Sequence, residues 1–187
     1  GKSIHTLYKL VEQTAYPLSA SGEISFSIST ISINGCADKV MRRSYRQIVI
    51  KRVRAMEAKA NLSPIDAALF YVKSLDWAVF PCFWIRSDAS CSCNAGSNCR
   101  SPGKHPITDT GFKEATRDPT TVRSWWEQYP EANVAVATGS ISGVDVLDID
   151  PRNGGDESIS TLETRFEPLP STLESKTGGG GRHLFFQ

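Results

Sequence analysis

Val146-Leu147-Asp148-Ile149-Asp150 places two carboxylates at alternate positions of an apolar strand. On a strand, positions 148 and 150 lie on the same face, with Cα atoms about 6.5 to 7 Å apart. Carboxylates this close repel each other unless a cation neutralises them. At the end of a strand such a pair suits Mg²⁺ or Mn²⁺, which can also hold substrate phosphates. The pattern alone leaves a phosphatase, a glycosyltransferase or a plain strand-to-turn junction open.

The segments on either side of this strand predict an α+β (α/β) domain. Ser63 followed by Pro64 opens one helix, and Asp118 followed by Pro119 opens a second. The second helix carries one apolar face, made of Val122, Trp125, Trp126 and Tyr129. Helices are expected at 63–74, 118–130 and 155–166, and strands at 77–85 (interrupted at Pro81), 133–138, 144–150, 172–176 and 182–187. The last four strands are expected to pair two by two around a modest mixed sheet.

Composition limits the class of protein. The 187 residues are 40% hydrophobic and 22% charged, which is ordinary for a globular domain that buries a core. The net charge of +1 excludes a uniformly basic surface of the histone kind. We recognise no transmembrane run and no signal-peptide pattern in the sequence, so we expect a cytoplasmic protein.

Residues 1–62 are expected to be an N-terminal extension, and residues 63–187 the main domain. Residues 37–60 contain eight Lys or Arg against two acidic residues, and the part from Lys39 to Lys59, without Gly or Pro, predicts a basic helix. This helix is either a solvated surface or a nucleic-acid contact. Met56-Glu-Ala-Lys reads like the start of a protein, so the residues before it are interpreted as lying upstream of the folded domain.

Three cysteines and a histidine are bunched in a long loop, as Cys91-x-Cys93-x5-Cys99-x5-His105. In a cytoplasmic protein such bunching indicates metal ligation rather than disulfides. Three thiolates and an imidazole suit tetrahedral Zn²⁺ and leave no open position, so we predict a structural zinc site that pins the loop. Free cysteines beside a chance histidine are the alternative. The other two cysteines are interpreted as a loop thiol and a buried apolar residue: Cys36 and Cys82, respectively.

A glycine-rich turn, Thr177-Gly-Gly-Gly-Gly-Arg182-His183-Leu-Phe-Phe, is the third feature. Glycines allow backbone N–H groups to approach a phosphate, so Gly180 and Gly181 are candidate nucleotide contacts. Arg182 and His183 add side-chain donors at the head of a strand. A flexible hairpin turn without a ligand is the alternative.

In order and spacing, these features resemble the N-terminal domain of bifunctional DNA primase/polymerases (prim-pol), in the archaeo-eukaryotic primase superfamily. The resemblance leaves residues 1–62 outside. Its further motifs are Ala67 to Ser74, Trp77-Ala-Val-Phe-Pro81, Ser101-Pro-Gly-Lys-His-Pro106, Ala115-Thr116-x-Asp118, Trp125-Trp126, Pro130-x-Ala-Asn133-Val and Gly139-x3-Gly143.

The resemblance implies a primase catalytic core with an RRM-like sheet. Asp148 and Asp150 would match the first metal-binding motif of the family, with Mg²⁺ or Mn²⁺ as catalytic ions. His183 would match the second motif, which contacts the incoming nucleotide. The implied activity is a nucleotidyltransferase that makes and extends primers from NTPs or dNTPs on a DNA template. Such domains are typical of plasmids, phages and integrated elements, often with a replicative helicase as partner.

The sequence departs from the family pattern in two places. Gly179 stands where the family usually has serine, in the turn before His183. The third acidic residue of the family lies on a later strand, and here nothing acidic follows Glu174. We therefore expect a piece truncated at its C-terminus, with an inactive remnant as the alternative. Two other functions stay open: a zinc-stabilised nucleic-acid-binding module without catalysis, and a phosphatase with Asp148 as nucleophile.

Overall fold

The computed structural model describes residues 62–177 and 179–186, together with the backbone of two short strands. Its helices are α1 (Pro64–Leu75), α2 (Pro119–Gln128) and α3 (Gly155–Arg165). Its strands are β1 (Gln13–Tyr16), β2 (Phe26–Ile28), β3 (Val79–Cys82), β4 (Asn133–Ala137), β5 (Asp145–Ile149), β6 (Leu173–Lys176) and β7 (Arg182–Phe186). The α+β class is confirmed. The predicted basic helix at 39–59 lies outside the described residues.

The predicted starts of the first two helices are confirmed by their caps. The Ser63 hydroxyl accepts a hydrogen bond of 3.3 Å from the backbone N–H of Asp66. The Asp118 carboxylate accepts bonds of 3.2 and 2.9 Å from the N–H groups of Thr120 and Thr121. In both helices proline follows the cap, where its missing N–H removes no helical hydrogen bond.

The first of two compact units contains β1, α1, α2, the cysteine-containing loop and a sheet in the order β1-β4-β3. Both pairings in this sheet are antiparallel. Its core includes Phe80, Cys82 and Ala135, so Cys82 is buried as expected. The predicted interruption at Pro81 is wrong, since β3 runs through this residue. The strand is at the edge of the sheet, where proline removes no ladder hydrogen bond.

The second unit contains β2, α3 and a sheet in the order β2-β6-β7-β5. Neighbouring strands are antiparallel throughout, whereas the sequence predicted a mixed sheet. Because β7 pairs antiparallel with both β5 and β6, those two strands run in the same direction with β7 between them. Their connection through α3 is a split β-α-β unit.

Only one of the two predicted strand pairs forms. β6 and β7 pair as expected, but β4 and β5 belong to different sheets, and the bridge between Gly139 and Val144 lies in the segment that joins them. The turn between them is held instead by Ser142, whose hydroxyl accepts from the N–H of Ala78 at 2.9 Å. No helix within the described residues has the length and hydropathy that crossing a bilayer requires.

We predict that Trp126→Ala lowers the free energy of unfolding by about 3 to 5 kcal/mol. The Trp126 side chain is 2% exposed, and its Nε1 donates to the carbonyl of Ala132 at 3.0 Å. Guanidinium denaturation monitored by circular dichroism measures the loss. Trp125→Ala is the matched control, because Trp125 is only partly buried. Equal losses in the two variants would contradict the packing described here.

Candidate metal and nucleotide centre

The antiparallel register of β5 and β7 sets Asp148 directly opposite His183. The imidazole Nε2 lies 3.3 Å from the Asp148 Oδ1. His183 is buried, with 8% of its surface exposed, while the Asp148 side chain keeps 36% exposed. Two residues that are 35 positions apart in the chain, and that the sequence assigned to different motifs, are therefore in contact.

Asp150 follows β5 and its carboxylate is held within its own loop. It accepts from the Arg152 side chain through Nε and Nη2, at 3.0 Å each. The backbone N–H of Arg152 and the Nδ2 of Asn153 also donate to it, each at 3.0 Å. The hydrogen bond from the Arg152 side chain, opposed by partial desolvation, lowers the pKa of Asp150. The carboxylate is therefore ionised at neutral pH.

The loop that holds Asp150 was not assigned a role from the sequence. Gly155 donates its N–H to the Asp150 carbonyl at 2.9 Å, and a Cβ on Gly155 would lie 2.7 Å from backbone atoms of Asp150. Gly154 has a φ of 71°, which favours glycine. The turn sequence Asn153-Gly154-Gly155, which begins three residues after Asp150, could have indicated this loop.

Two backbone donors of the glycine-rich turn are used within the turn itself. Gly181 donates to the Thr177 hydroxyl at 2.9 Å, and Gly180 donates to the Thr177 carbonyl at 3.0 Å. A Cβ on Gly181 would lie 2.6 Å from the carbonyl oxygen of Ile149, so only glycine lets the turn approach the end of β5. The N–H groups of the two candidate nucleotide contacts are therefore engaged within the turn.

Arg182 lies on the face of β7 opposite to His183, because alternate residues of a strand point to opposite sides. Its guanidinium is 3.9 Å from carboxylate oxygens of Asp156 and Glu174. The structure thus brings Asp148 and His183 together and directs Arg182 to the other face of the sheet.

The cysteine cluster brings four candidate zinc ligands close together. The ligand atoms of Cys91, Cys93, Cys99 and His105 all lie within 4.8 Å of one another. His105 Nε2 is 3.6 Å from the Cys91 sulfur and 3.5 Å from the Cys99 sulfur. Zinc bonds of about 2.3 Å to sulfur and about 2.0 to 2.1 Å to nitrogen hold such ligands about 3.6 Å apart. The four residues can therefore bind Zn²⁺ with little rearrangement.

Hydrogen bonds favour the ionised form of one cysteine in the cluster. Burial opposes ionisation of Cys91, but bonds from the backbone of Cys93 and Gly103 and from His105 lower its pKa to about 6. A thiolate is the form that binds zinc. None of the four described cysteines forms a disulfide, which agrees with a metal cluster.

Asn133 anchors the loop that carries these ligands. Its Nδ2 donates to the carbonyl of Gly103 at 2.9 Å and to that of Phe83 at 3.2 Å, and it is buried at the start of β4. The Phe83 ring contacts His105, with ring centroids 4.6 Å apart. The sequence places Asn133 in a family motif. It does not predict that Asn133 anchors the loop, because its hydrogen-bond partners are 30 and 50 positions away.

Comparison with known proteins identifies the family of the chain. The family model for the N-terminal domain of bifunctional DNA primase/polymerases (Prim-Pol) matches residues 68–187. The chain belongs to the Prim-Pol family. Searches of curated proteins and of solved structures give no match to the chain. The family membership implies a function related to primases and polymerases, with DNA and nucleotides as substrates.

The Prim-Pol family also implies a catalytic divalent cation, and the residues at the end of β5 fit one. Asp148 presents a partly exposed carboxylate, and the Asp150 carboxylate already accepts from a cation, the Arg152 guanidinium. Carboxylate oxygens are the ligands that Mg²⁺ and Mn²⁺ prefer. Within the described residues, the cysteine cluster is the group of three or more candidate ligands that lie close together. Asp148 and Asp150 supply two carboxylates, the number that Mg²⁺ commonly takes from a protein beside substrate phosphates.

We predict one Zn²⁺ per chain in protein purified without chelator, and its loss in Cys93→Ser. Replacing one thiolate by a hydroxyl removes a ligand that zinc strongly prefers. Elemental analysis measures the content. Cys82→Ala is the matched control, since Cys82 is buried outside the cluster and burial raises its thiol pKa to about 12. Zinc-free wild-type protein, or full zinc content in Cys93→Ser, would refute the site.

Proposed function

We propose that this Prim-Pol domain is a metal-dependent DNA primase/polymerase, transferring nucleotides from NTPs or dNTPs to a 3′-hydroxyl on a DNA template. The observation that carries the proposal is the 3.3 Å contact between Asp148 and His183 across β5 and β7. These residues belong to the two sequence motifs assigned to the ion and to the nucleotide. Their contact supports one site that handles both.

Asp148 and Asp150 act as the oxygen ligands of Mg²⁺ or Mn²⁺ in this proposal. A divalent ion bound there would offset the charge of a triphosphate and ease deprotonation of the attacking hydroxyl. The partly exposed Asp148 carboxylate lies on the edge of the site that a nucleotide reaches. Asp150 contributes once its carboxylate is released from the surrounding donors.

His183 acts as the nucleotide contact. Its Nε2 is the imidazole edge that faces Asp148, so a phosphate held beside Asp148 lies within its reach. The imidazole is buried between strands, which fixes its orientation before the nucleotide arrives. The buried Ser175 lies opposite His183 on β6 and forms part of the same wall.

The sheet of the second unit supports the RRM-like core that the family implies. In the β5-α3-β6 connection the two parallel strands are separated by β7, which is the split arrangement of ferredoxin-like and RRM-like folds. The domain proposed is residues 63–187, and the family match at 68–187 falls within it. β1 and β2, from outside this range, pair with β4 and β6.

The zinc cluster acts as a structural element in this proposal. Four protein ligands leave no open coordination position, so the ion stabilises the loop rather than taking part in chemistry. The template would come from a plasmid, phage or integrated element in the cytoplasm, with a replicative helicase as partner.

A second candidate function is a zinc-stabilised nucleic-acid-binding module without catalysis. The observation that favours it is the state of Asp150, whose carboxylate is already bound by Arg152 and Asn153. If that arrangement persists in the presence of divalent ions and nucleotide, the acidic pair has no catalytic task. Assays of synthesis and of DNA binding on the same protein separate the two functions.

We predict that Asp148→Ala and Asp150→Ala each abolish primer synthesis and extension while leaving zinc content unchanged. Each substitution removes a carboxylate from the proposed ion site. Incorporation of labelled nucleotides on single-stranded DNA measures the activity. Asp145→Ala is the matched control, because Asp145 is exposed on the other face of the same strand. Intact DNA binding with no synthesis by the wild-type chain would favour the second function.

We predict that His183→Ala weakens nucleotide binding about 10- to 150-fold, because a hydrogen bond to a charged partner contributes about 1.5 to 3 kcal/mol. Titration calorimetry with ATP and Mg²⁺ measures the affinity. Because His183 is buried, His183→Gln, which keeps a donor, and a circular dichroism spectrum serve as controls for folding. A folded His183→Ala variant with unchanged nucleotide affinity would contradict the assigned role.

A further inference from the structure

Arg152 makes a side-on, two-pronged contact with Asp150. Its Nε donates to Oδ1 and its Nη2 to Oδ2, at 3.0 Å each. This planar fork is the arrangement that guanidinium groups form with carboxylates and phosphates. The charge of Asp148 also acts on Arg152 and helps to raise the pKa of the guanidinium, after the larger effect of Asp150. Arg152 therefore supplies positive charge to the acidic pair.

The loop does not need this guanidinium to keep its shape. The backbone N–H groups of Arg152 and Gly155 already donate to Asp150, at 3.0 and 2.9 Å. The Arg152 side chain is 72% exposed, and ion pairs at such exposure add little stability. The contact thus matters for the charge and accessibility of the carboxylate more than for the fold.

The Arg152 guanidinium lies next to Gly179 in the glycine-rich turn. A Cβ added to Gly179 would be 3.4 Å from the Arg152 Cζ and 3.5 Å from its Nη2. A Cβ at this position would therefore be in van der Waals contact with the guanidinium. The same turn leads directly into β7 and His183.

We propose that Arg152 is an internal cation that occupies Asp150 until a divalent ion displaces it, and that the released guanidinium then binds the triphosphate of the nucleotide. The inference rests on the proposed function, because it concerns the same ion and nucleotide. It accounts for the two-pronged contact between the Arg152 guanidinium and the Asp150 carboxylate. It also supplies a phosphate-binding arginine, since Arg182 is directed to Asp156 and Glu174 on the other face.

The inference is tested by the affinities of Arg152→Ala for Mn²⁺ and for ATP, which should change in opposite directions. In the zinc-loaded full chain, Arg152→Ala should bind Mn²⁺ alone about 2- to 5-fold more tightly than wild type, because the competing cation is gone. Free Mn²⁺ is measured by electron paramagnetic resonance. The same variant should bind ATP with Mg²⁺ about 10-fold more weakly by calorimetry, because the triphosphate loses a charged donor.

Two variants separate competition at Asp150 from general electrostatics. Arg165→Ala removes the same charge from the exposed end of α3, where the guanidinium contacts the ring of Phe166, and should leave both affinities unchanged. Arg152→Lys keeps the charge without the fork and should restore part of the ATP affinity. Tighter Mn²⁺ binding in Arg165→Ala as well would overturn the competition at Asp150.

Asp150→Asn distinguishes failure of this inference from failure of the proposed function. If Asp150→Asn loses Mn²⁺ binding but Arg152→Ala binds Mn²⁺ no more tightly than wild type, only the role of Arg152 is refuted. If Asp150→Asn binds Mn²⁺ like wild type, the ion site itself is refuted. Weaker binding of both Mn²⁺ and ATP by Arg152→Ala would assign the residue a purely structural role and overturn the inference.

Discussion

The register of β5 on β7 is the constraint on which the candidate catalytic centre depends. Because side chains alternate along a strand, a slip of one residue would carry His183 to the face that Arg182 now occupies. The buried pair of Val146 and Phe185 holds the register on one side of the contact between Asp148 and His183. The close approach of the glycine-rich turn to the end of β5 holds it on the other. Packing and turn geometry therefore hold Asp148 and His183 opposite each other.

The two units stabilise their clustered ionisable side chains in different ways. In the cysteine cluster, hydrogen bonds favour the Cys91 thiolate, and four candidate ligands lie close enough together to bind a zinc ion. At the end of β5, an arginine from the same loop balances the Asp150 carboxylate. The first arrangement suits a permanently bound structural ion, whereas in the second a side chain of the protein already balances the carboxylate.

Several features could be predicted from the sequence because they depend on neighbours in the chain. The caps at Ser63 and Asp118, the helices they begin and the β6–β7 hairpin are local, and each was expected. The spacing of the cysteines and His105 was also sufficient to identify their cluster. Expectations failed where distant partners decide. β4 and β5 do not pair, since β1 and β3 already occupy both edges of β4, and Pro81 is tolerated because β3 is an edge strand.

The order of motifs along the chain was enough to assign the Prim-Pol family and to propose the acidic pair and His183 as site residues. Local residue types carry that information, because each motif specifies its own chemistry. Only the tertiary structure decided which of these groups meet. It set His183 against Asp148, turned Arg182 away and brought Arg152 under Gly179, a residue 27 positions later. Such contacts depend on strand register and on the close approach of glycine backbones, which a linear sequence does not reveal.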